Sequence, residues 1–400
     1  MKTLSYLSYA LLASAPAIEA HPGMGQKMDE MRNAARKLDR QASKELIGDL
    51  KTLADSKLTS IGKDIKAIIL DQKSAESSTI DTSIPAGAIG SAACKADACC
   101  HWKWLAYEMT AKFNGTSGRC SKFARQAVRL GFHDAGVWSK SSGYGGADGS
   151  ILLSDEMSRT DNNGLSAIAD QTKKWYTKYN QYGMSMADII QFGANVATVV
   201  CPLGPRIRSF VGRKDNSKAG PNGLLPGEKD SADVLIKLFS DKTIDPHDLV
   251  ALVGAHTTSQ QHFVNTARDG DPQDTTPGVW DIAFYPQTTG NPPVRVIKFQ
   301  SDINLSKDSR TSDEWKEFSG SGGQNHWNED YAKAYTRLSL LGVNNINDLK
   351  ECTQVLPAAR TSFVSQDQAI LDRWLNGEFN QLNNLVDDAI QLTGVSTGSK

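Results

Sequence analysis

The sequence predicts a mostly α-helical protein. After Cys94, apolar residues recur at helical spacing between turns rich in Gly, Pro and Asp, while alternating strand patterns are scarce. With 39% hydrophobic residues, the 400-residue chain can bury a substantial core. Its net charge of -1 gives no electrostatic reason to expect nucleic acid or an anionic membrane as a partner. A small or neutral substrate suits this balance better.

The first 20 residues, MKTLSYLSYALLASAPAIEA, have the pattern of a secretory signal peptide, in which Lys2 precedes an apolar stretch that ends in small residues. We expect cleavage after Ala17 or Ala20. A buried first helix is the alternative, but Pro16 follows the apolar run too closely for a long helix. No other apolar run approaches the roughly 20 residues of a membrane span. We therefore expect a secreted, extracellular protein.

The cysteines fit that destination, because they are even in number and none forms a zinc-type C-x-x-C pair. They indicate three disulfides and are Cys94, Cys99, Cys100, Cys120, Cys201 and Cys352. Sequons for N-glycosylation begin at Asn114 and Asn304, and a sequon permits the modification without requiring it.

Composition divides the chain into segments. Apolar residues from Leu46 to Ile69 fall at roughly helical spacing and predict one or two amphipathic helices, and the small, polar stretch around Pro85 predicts a linker. The expected order is signal peptide 1–20, helical extension 21–73, linker 74–93, main domain 94–375 and C-terminal tail 376–400. Whether the extension docks on the main domain or binds something else stays open.

The segment SKFARQAVRLGFHD places an arginine one helical turn before a histidine. Positions i and i+4 share a helix face, so Arg129 and His133 can reach one small ligand together. The same face carries Lys122 and Gln126, while the residues available for core packing are Phe123, Ala124, Ala127 and Val128. Taken alone, the pair is more often an ordinary solvated helix side.

A second histidine follows the segment DPHDLVALVGA, which predicts another helix. Asp245 is placed to cap the N-terminus of this helix, and Pro246 is well suited to its first position. The negative charge of Asp248 is favourable near the positive N-terminal end of the helix dipole. Because the helix is nearly all apolar, we expect His256 to be buried near its C-terminal end. A buried imidazole needs a carbonyl, a carboxylate or a metal as partner, although a lone histidine there is more often part of the core.

Oxygen-bearing residues cluster after each histidine. Carboxylates, hydroxyls and carbonyls around tight glycine turns are the ligands that calcium prefers, although each cluster alone could be ordinary turn chemistry. The first cluster is Asp134, Gly146, Asp148 and Ser150. The second is Thr257, Asp274, Thr276, Val279 and Asp281. Together they predict two calcium sites.

These motifs resemble the secreted fungal haem peroxidases of class II, the lignin and manganese peroxidase group of the plant, fungal and bacterial peroxidase superfamily. The resemblance covers roughly Cys94 to Pro357, with RLGFHD, GGADGS, LVALVGAHT, DTTPGVWD and FQSDINLSKDSRTSDEW in the family's order. It implies a haem peroxidase fold, in which a distal lobe (94–220) and a proximal lobe (221–375) enclose one haem b and two calcium ions.

The resemblance also implies residue roles. His256 would bind the haem iron, and Asp302 would accept its other ring proton, which favours high oxidation states of iron. His133 would be the distal base that exchanges a proton with hydrogen peroxide, and Arg129 would stabilise the developing charge. Phe132 would pack over the porphyrin.

Further implied roles concern support. Glu156 and Asn162 match the family's chain of hydrogen bonds to the distal histidine, in which Asn162 accepts its Nδ1 proton. The implied disulfides are Cys94–Cys100, Cys99–Cys352 and Cys120–Cys201. A fourth bridge of the fungal group is missing, because Asp313 stands where its first cysteine would be.

The implied activity is reduction of hydrogen peroxide with one-electron oxidation of small phenolic or aromatic donors, by a monomer. Manganese peroxidases carry acids where this chain has Lys122, Gln126 and His262, and lignin-oxidising members carry an exposed tryptophan where it has Ala251. We therefore expect neither manganese oxidation nor that tryptophan route. The alternative function is a non-enzymatic interaction protein that keeps the scaffold and binds through its N-terminal helices.

Overall fold

The computed structural model describes residues 43–83, 85–115 and 117–378. The expected signal peptide, the first part of the extension and most of the C-terminal tail lie outside these residues. Within the described ranges the protein is mostly α-helical, as predicted, and the helices are α1 (Ser60–Ile69), α2 (Ala92–Ala96), α3 (Cys100–Phe113), α4 (Lys122–Ala135), α5 (Ser150–Leu153), α6 (Ser166–Tyr179), α7 (Met186–Val200), α8 (Ala232–Ser240), α9 (Pro246–Val253), α10 (Phe284–Thr289), α11 (Gln300–Lys307), α12 (Ser312–Ser319), α13 (Gly323–Leu338) and α14 (Gln368–Leu375).

Regular β-structure in the described part is confined to one short antiparallel pair. Strand β1 (Phe210–Val211) pairs with β2 (Lys350–Glu351), with Phe210 opposite Glu351. The described helices include none with both the length and the apolar character that crossing a bilayer requires.

Helix α4 packs more extensively against α7 than any other two helices pack. Close approach is possible at Gly131, where a Cβ would overlap Ala194 and the hydroxyl of Tyr335. Gln191 fixes the contact, because its Nε2 donates to the Gly131 carbonyl at 3.0 Å and its Oε1 accepts from Tyr335 at 2.9 Å. This packing fixes the last turn of α4, which carries His133.

Helix α9, which packs on α13, begins as its sequence predicts. The Asp245 side chain accepts from the main-chain N–H of Asp248 at 2.8 Å, and Pro246 occupies the first position. The α-helix ends at Val253, and His256 lies in the following 3-10 turn, Gly254–Thr258. The side chain of His256 is 35% exposed, so the histidine is partly buried and not fully buried as expected.

The three disulfides implied by the resemblance are all present, and no cysteine is free. They are Cys94–Cys100, Cys99–Cys352 and Cys120–Cys201. The second bridge, whose cysteines are 253 positions apart in the sequence, joins the start of α3 to the segment after β2 and so closes most of the described chain into one loop.

The described part of the N-terminal extension docks on the main domain, which answers the question that the sequence left open. Ile47, Leu50 and Ile65 are buried in the common core. The buried Arg337 of α13 donates to the main-chain carbonyls of Ser43 and Glu45. This stretch forms the helix α1 and two 3-10 turns.

The predicted linker is also held against the domain. Arg206 donates to the carbonyls of Ser77 and Thr79 at 2.5 and 2.8 Å, and Lys103 pairs with Asp81 at 2.7 Å. The division of the chain at residues 73 and 94 stays a prediction, but packing is continuous across both points.

Because the extension docks on the main domain, we expect the substitution Gly48→Ala, which adds one methyl group, to lower the stability of the protein. Gly48 has a φ of +54°, which disfavours a side chain, and a Cβ there would overlap the Val343 carbonyl. Gly223 also has positive φ (+76°) but nothing within 4 Å of an added Cβ, so Gly223→Ala serves as the control for backbone strain alone. We expect Gly223→Ala to cost about 1 kcal/mol of unfolding free energy and Gly48→Ala about 1–3 kcal/mol more.

Thermal unfolding measures this difference, and limited proteolysis should cut residues 43–57 faster in Gly48→Ala. Equal melting temperatures and equal cleavage rates for the two variants would show that the extension contributes nothing to stability.

Candidate active site

Arg129 and His133 lie on one face of α4, as predicted, and are in contact. The Nε atom of Arg129 is 3.2 Å from His133 Nε2. Because a guanidinium can only donate, Nε2 is the acceptor and the ring proton is on Nδ1. The remaining guanidinium nitrogens donate to the carbonyls of Asn163 and Asp161, at 2.6 and 2.7 Å. These carbonyls hold the arginine beside the imidazole.

The Nδ1 proton of His133 is donated to Asn162 Oδ1, at 2.8 Å. Asn162 Nδ2 in turn donates to the main-chain carbonyl of Glu156 at 2.8 Å, which fixes the orientation of the amide. The support from Glu156 therefore comes from its backbone. Its buried carboxylate accepts from the N–H of Gly220 at 2.7 Å and pairs with Arg159 at 3.1 Å.

The imidazole of His133 is a neutral base. Burial and the positive charge of Arg129 lower its pKa to about 3, against an opposing contribution from the hydrogen bond to Asn162. At neutral pH the ring is therefore uncharged, with a lone pair on Nε2. This is the state in which an imidazole can take a proton from a bound acid and later return it.

His256 directs its Nδ1 toward a buried carboxylate. Nδ1 lies 3.2 Å from Asp302 Oδ2, and Asp302, in α11, is 1% exposed. The ring proton on Nδ1 is thus used within the protein. Across the described ranges, no residue forms a hydrogen bond to Nε2, which leaves that nitrogen for another partner.

Gln273 is the site residue that the sequence analysis missed. It is buried, and its Nε2 donates to Asp302 Oδ2 at 2.9 Å and lies 3.3 Å from His256 Nδ1. Its Oε1 accepts from Ser259 Oγ at 2.5 Å. Gln273 and His256 therefore share one carboxylate oxygen. The only signal in the sequence is the position of Gln273 directly before Asp274.

The donor set fits a haem. A neutral imidazole with a free Nε2 and a carboxylate on Nδ1 is suited to bind iron. Phe284 and Phe299 stand edge-on to His256 at 5.6 and 5.8 Å, which gives its surroundings an apolar character. On α4, Phe132 stacks on Phe239 with centroids 6.2 Å apart. Aromatic rings of this kind can pack against a flat aromatic macrocycle.

Asp134 and Asp148 form a buried pair of carboxylates beside His133. Burial and then the charge of Asp148 raise the pKa of Asp134 well above its usual range, and burial raises the pKa of Asp148. Asp134 Oδ1 and Ser150 Oγ are buried and form no hydrogen bond within the described part of the chain. Gly146 enters the same turn with a φ of +111°. A buried carboxylate oxygen and a buried hydroxyl without hydrogen-bond partners suit a calcium ion.

Asp274 and Asp281 form a second buried pair, beside Thr257. The Thr257 hydroxyl donates to Asp274, and Thr276 Oγ1 donates to Asp281 at 3.0 Å. Burial and then the charge of Asp281 raise the pKa of Asp274 well above its usual range, and burial raises that of Asp281. The Val279 N–H closes the turn on the Thr276 carbonyl at 2.9 Å. The structure thus gathers each predicted cluster.

A cavity of about 530 Å³ opens beside the Arg129 face of α4. Its lining includes Lys122, Gln126, Gly164, His262, Phe263 and Asp269. Phe263 is 58% exposed, and Gly164 lies between its ring and Arg129, since a Cβ there would approach both. Beside the three residues that stand where manganese peroxidases carry acids, the lining includes the carboxylate of Asp269, whose Oδ1 lies 2.6 Å from His262 Nδ1.

Ala251 is completely buried, so this position of α9 reaches no surface. Its carbonyl accepts from Trp327 Nε1 at 2.8 Å. Trp280 is also completely buried and stacks on Trp327 at 5.0 Å. Both tryptophans are part of the core.

Comparison with known proteins identifies relatives. A family model described as Peroxidase matches residues 107–321. Ligninase C from Trametes versicolor is 32% identical over 60% of this chain and 70% of its own length. Ligninase LG2 from Phanerodontia chrysosporium is 31% identical over 66% of this chain and 76% of its own length. A peroxidase from Arthromyces ramosus is 29% identical over 69% of this chain and 82% of its own length. These likenesses give no support to the non-enzymatic alternative.

Proposed function

This chain belongs to the peroxidase family, as a haem-dependent oxidoreductase of the class II fungal group, and we propose that it reduces hydrogen peroxide at a site built from Arg129, His133 and His256. One observation carries the proposal, the chain of two hydrogen bonds through His133. Arg129 Nε donates to His133 Nε2, and His133 Nδ1 donates to Asn162 Oδ1. The absorption spectrum of the haem-bound protein tests the proposal, and we expect its Soret band to shift when peroxide is added. A spectrum that does not change on addition of peroxide would contradict the proposal.

A haem held by His256 would supply the two oxidising equivalents' worth of redox chemistry that peroxide reduction requires. His133 Nε2 would accept a proton from the peroxide in place of its contact with Arg129 Nε, because its Nδ1 proton is committed to Asn162 and Nε2 is the basic nitrogen of the ring. The same Nε2–H then donates the proton to the far oxygen, so that water leaves. Arg129 stabilises the negative charge that develops on the departing oxygen.

We assign His256 Nε2 as the iron ligand and Asp302 as the acceptor of its Nδ1 proton. A carboxylate in this position increases the electron density that the imidazole passes to iron. Gln273 acts through Asp302 as a positioning residue. By donating to the same Oδ2 at 2.9 Å, it withdraws part of the negative charge that would otherwise reach His256.

We assign the cavity beside Arg129 as the binding place of the reducing substrate. Its volume of about 530 Å³ falls in the usual range for small-molecule pockets, roughly 300–1,000 Å³. The exposed ring of Phe263 offers an aromatic surface against which a donor can stack. Small phenols and dyes are the donors that suit a pocket of this size.

We further propose that each buried carboxylate pair holds a calcium ion, and that the protein is secreted and acts as a monomer. The first ion would bind Asp134, Gly146, Asp148 and Ser150. The second would bind Thr257, Asp274, Thr276, Val279 and Asp281. Buried paired carboxylates support the calcium assignment, and the N-terminal sequence pattern supports secretion.

Substitution of the two histidines should separate haem binding from catalysis. His133→Leu should retain haem but react with peroxide about 10²–10⁴-fold more slowly, because the base and acid functions are lost together. His256→Ala should lose or loosen haem, because the iron loses its protein ligand. Stopped-flow absorbance and haem content measure the two effects.

A merely tenfold slower reaction in His133→Leu would remove that residue from the proposed role. Full haem content with an unchanged spectrum in His256→Ala would point to another iron ligand.

Chelation of calcium should weaken both sides of the site. Asp134 directly follows His133 and Thr257 directly follows His256, so loss of either ion frees the backbone that aims an imidazole. We expect a lower melting temperature and an altered haem spectrum after prolonged incubation with a chelator, reversed by added calcium. Asp134→Asn and Asp274→Asn should reproduce part of the effect, while Asp170→Asn, at an exposed position of α6, should not.

If prolonged chelation leaves the spectrum, activity and melting point unchanged, the two clusters are ordinary turns without calcium.

Oxidation of Mn(II) should be inefficient. Mn(II) prefers several carboxylate and water oxygens as ligands. Among the described residues that line this cavity, Asp269 supplies one carboxylate, which is already paired with His262, and the ammonium of Lys122 repels a cation. We expect steady-state turnover of a simple phenol to exceed that of Mn(II) by at least about tenfold. Lys122→Glu combined with Gln126→Glu should introduce saturable Mn(II) oxidation. Saturable Mn(II) turnover in the unmodified protein at a rate rivalling the phenol would contradict the prediction.

A further inference from the structure

Two histidines and two carboxylates from three helices meet away from the site described above. His247 lies in α9, Glu314 in α12, and His326 and Asp330 stand one turn apart in α13. One potential ligand atom from each lies within 4.8 Å of the others. Their side chains are only 1–16% exposed, so the cluster is largely shielded from solvent.

The separations between these atoms fit tetrahedral coordination. His247 Nε2 is 3.1 Å from Glu314 Oε2 and 3.5 Å from Asp330 Oδ2. His326 Nε2 is 3.0 Å from Asp330 Oδ2 and 3.6 Å from Glu314 Oε1. A tetrahedron with metal–ligand bonds of about 2.0–2.1 Å has edges of about 3.3–3.4 Å. Each nitrogen is thus spaced from each carboxylate as two ligands of one metal ion would be.

The surroundings orient the donors inward. His247 Nδ1 lies 3.8 Å from Asp248 Oδ1, too far for a hydrogen bond, while the opposite nitrogen, Nε2, faces the carboxylates of Glu314 and Asp330. Both ring nitrogens of His247 and Glu314 Oε1 are buried, and within the described ranges none of these atoms forms a hydrogen bond of good geometry. The ring of Phe318 stands edge-on to His326 at 5.1 Å and to His247 at 6.4 Å, which keeps one side apolar.

We propose that His247, Glu314, His326 and Asp330 bind one zinc ion. Two carboxylates and two neutral imidazoles balance the charge of Zn²⁺, and nitrogen and oxygen donors in tetrahedral order favour this metal. Four protein ligands leave no position for a substrate, so the zinc is structural. The competing arrangement is an ion-pair cluster in which protonated histidines neutralise the carboxylates without a metal.

The position of the cluster defines what the zinc does. It joins α9, α12 and α13, and α9 leads within a few residues to His256. A zinc ion would therefore hold the start of this helix, and the 3-10 turn that follows its end carries His256. The inference does not depend on the proposed substrate or on the calcium assignments.

Zinc content of the full-length holoenzyme tests the proposal. The protein is incubated with zinc in calcium-saturated buffer, so that the oxygen clusters stay filled, and is then gel filtered and analysed for metal. We expect about one zinc per chain. X-ray absorption at the zinc edge, which haem iron does not obscure, should show two imidazole nitrogens and two carboxylate oxygens at about 2.0–2.2 Å.

Three variants provide the comparison. Glu314→Gln and His326→Phe should each bind zinc at least about tenfold more weakly. Asp313→Asn removes the neighbouring carboxylate, which is 90% exposed and pairs only with the exposed Lys316, and should bind zinc as the unmodified protein does. Haem spectra and melting curves recorded without added zinc verify that each variant is folded.

The proposal fails if the unmodified protein retains no zinc, or if its absorption spectrum shows fewer than two imidazole ligands. It also fails if folded Glu314→Gln and His326→Phe retain as much zinc as Asp313→Asn. Should both variants fail to fold, the spectrum of the unmodified protein decides the question alone.

Discussion

Two pairs of buried carboxylates are the constraint on which the geometry of this site depends. Like charges held together in a low-dielectric interior repel unless a proton or a cation neutralises them. Asp134, directly after His133, forms such a pair with Asp148, and Thr257, directly after His256, donates to Asp274, which forms the second pair with Asp281. In each case the histidine binds its Nδ1 partner, while the next residue either belongs to the carboxylate pair, as Asp134 does, or contacts it, as Thr257 does. Whatever neutralises the acids therefore also fixes the backbone that orients the imidazole.

The different roles that we propose for the two histidines follow from the different charge of their Nδ1 partners. His133 donates to the neutral amide of Asn162, so its ring gains little negative charge, which suits a base that has to release the proton it accepts. His256 donates to the carboxylate of Asp302, which strengthens it as a ligand. Gln273 adjusts this second hydrogen bond without touching Nε2. Because Gln273 and His256 share one acceptor oxygen of Asp302, the hydrogen bond from Gln273 influences how strongly the imidazole of His256 is polarised.

Local patterns predicted what depends on local physics. The spacing of Arg129 and His133 and the cap at Asp245 follow from helix geometry, and both were confirmed. The 3-10 turn that carries His256 was missed, because it begins at Gly254, where Tyr285 and Trp327 pack too closely for a side chain and no local pattern marks such a contact. Gln273 reaches its partner Asp302 across 29 residues, and no periodicity marks such a contact. The disulfide pairing was available only through the family resemblance, since six cysteines alone allow 15 connectivities.

The support of His256 begins one helix earlier. Helix α9 is capped by Asp245, whose carboxylate also accepts from the N–H of Ser43 at 2.5 Å in the docked extension. Its next residue but one, His247, faces the carboxylates of α12 and α13. The far end of the helix is held by Trp327, which donates to the Ala251 carbonyl. Both ends of α9 are thus tied to α13, directly or through the cluster of His247, Glu314, His326 and Asp330, so the packing of these two helices restrains the movement of His256. The extension, this cluster and the aromatic core then act together on the position of His256, the residue that we propose as the iron ligand.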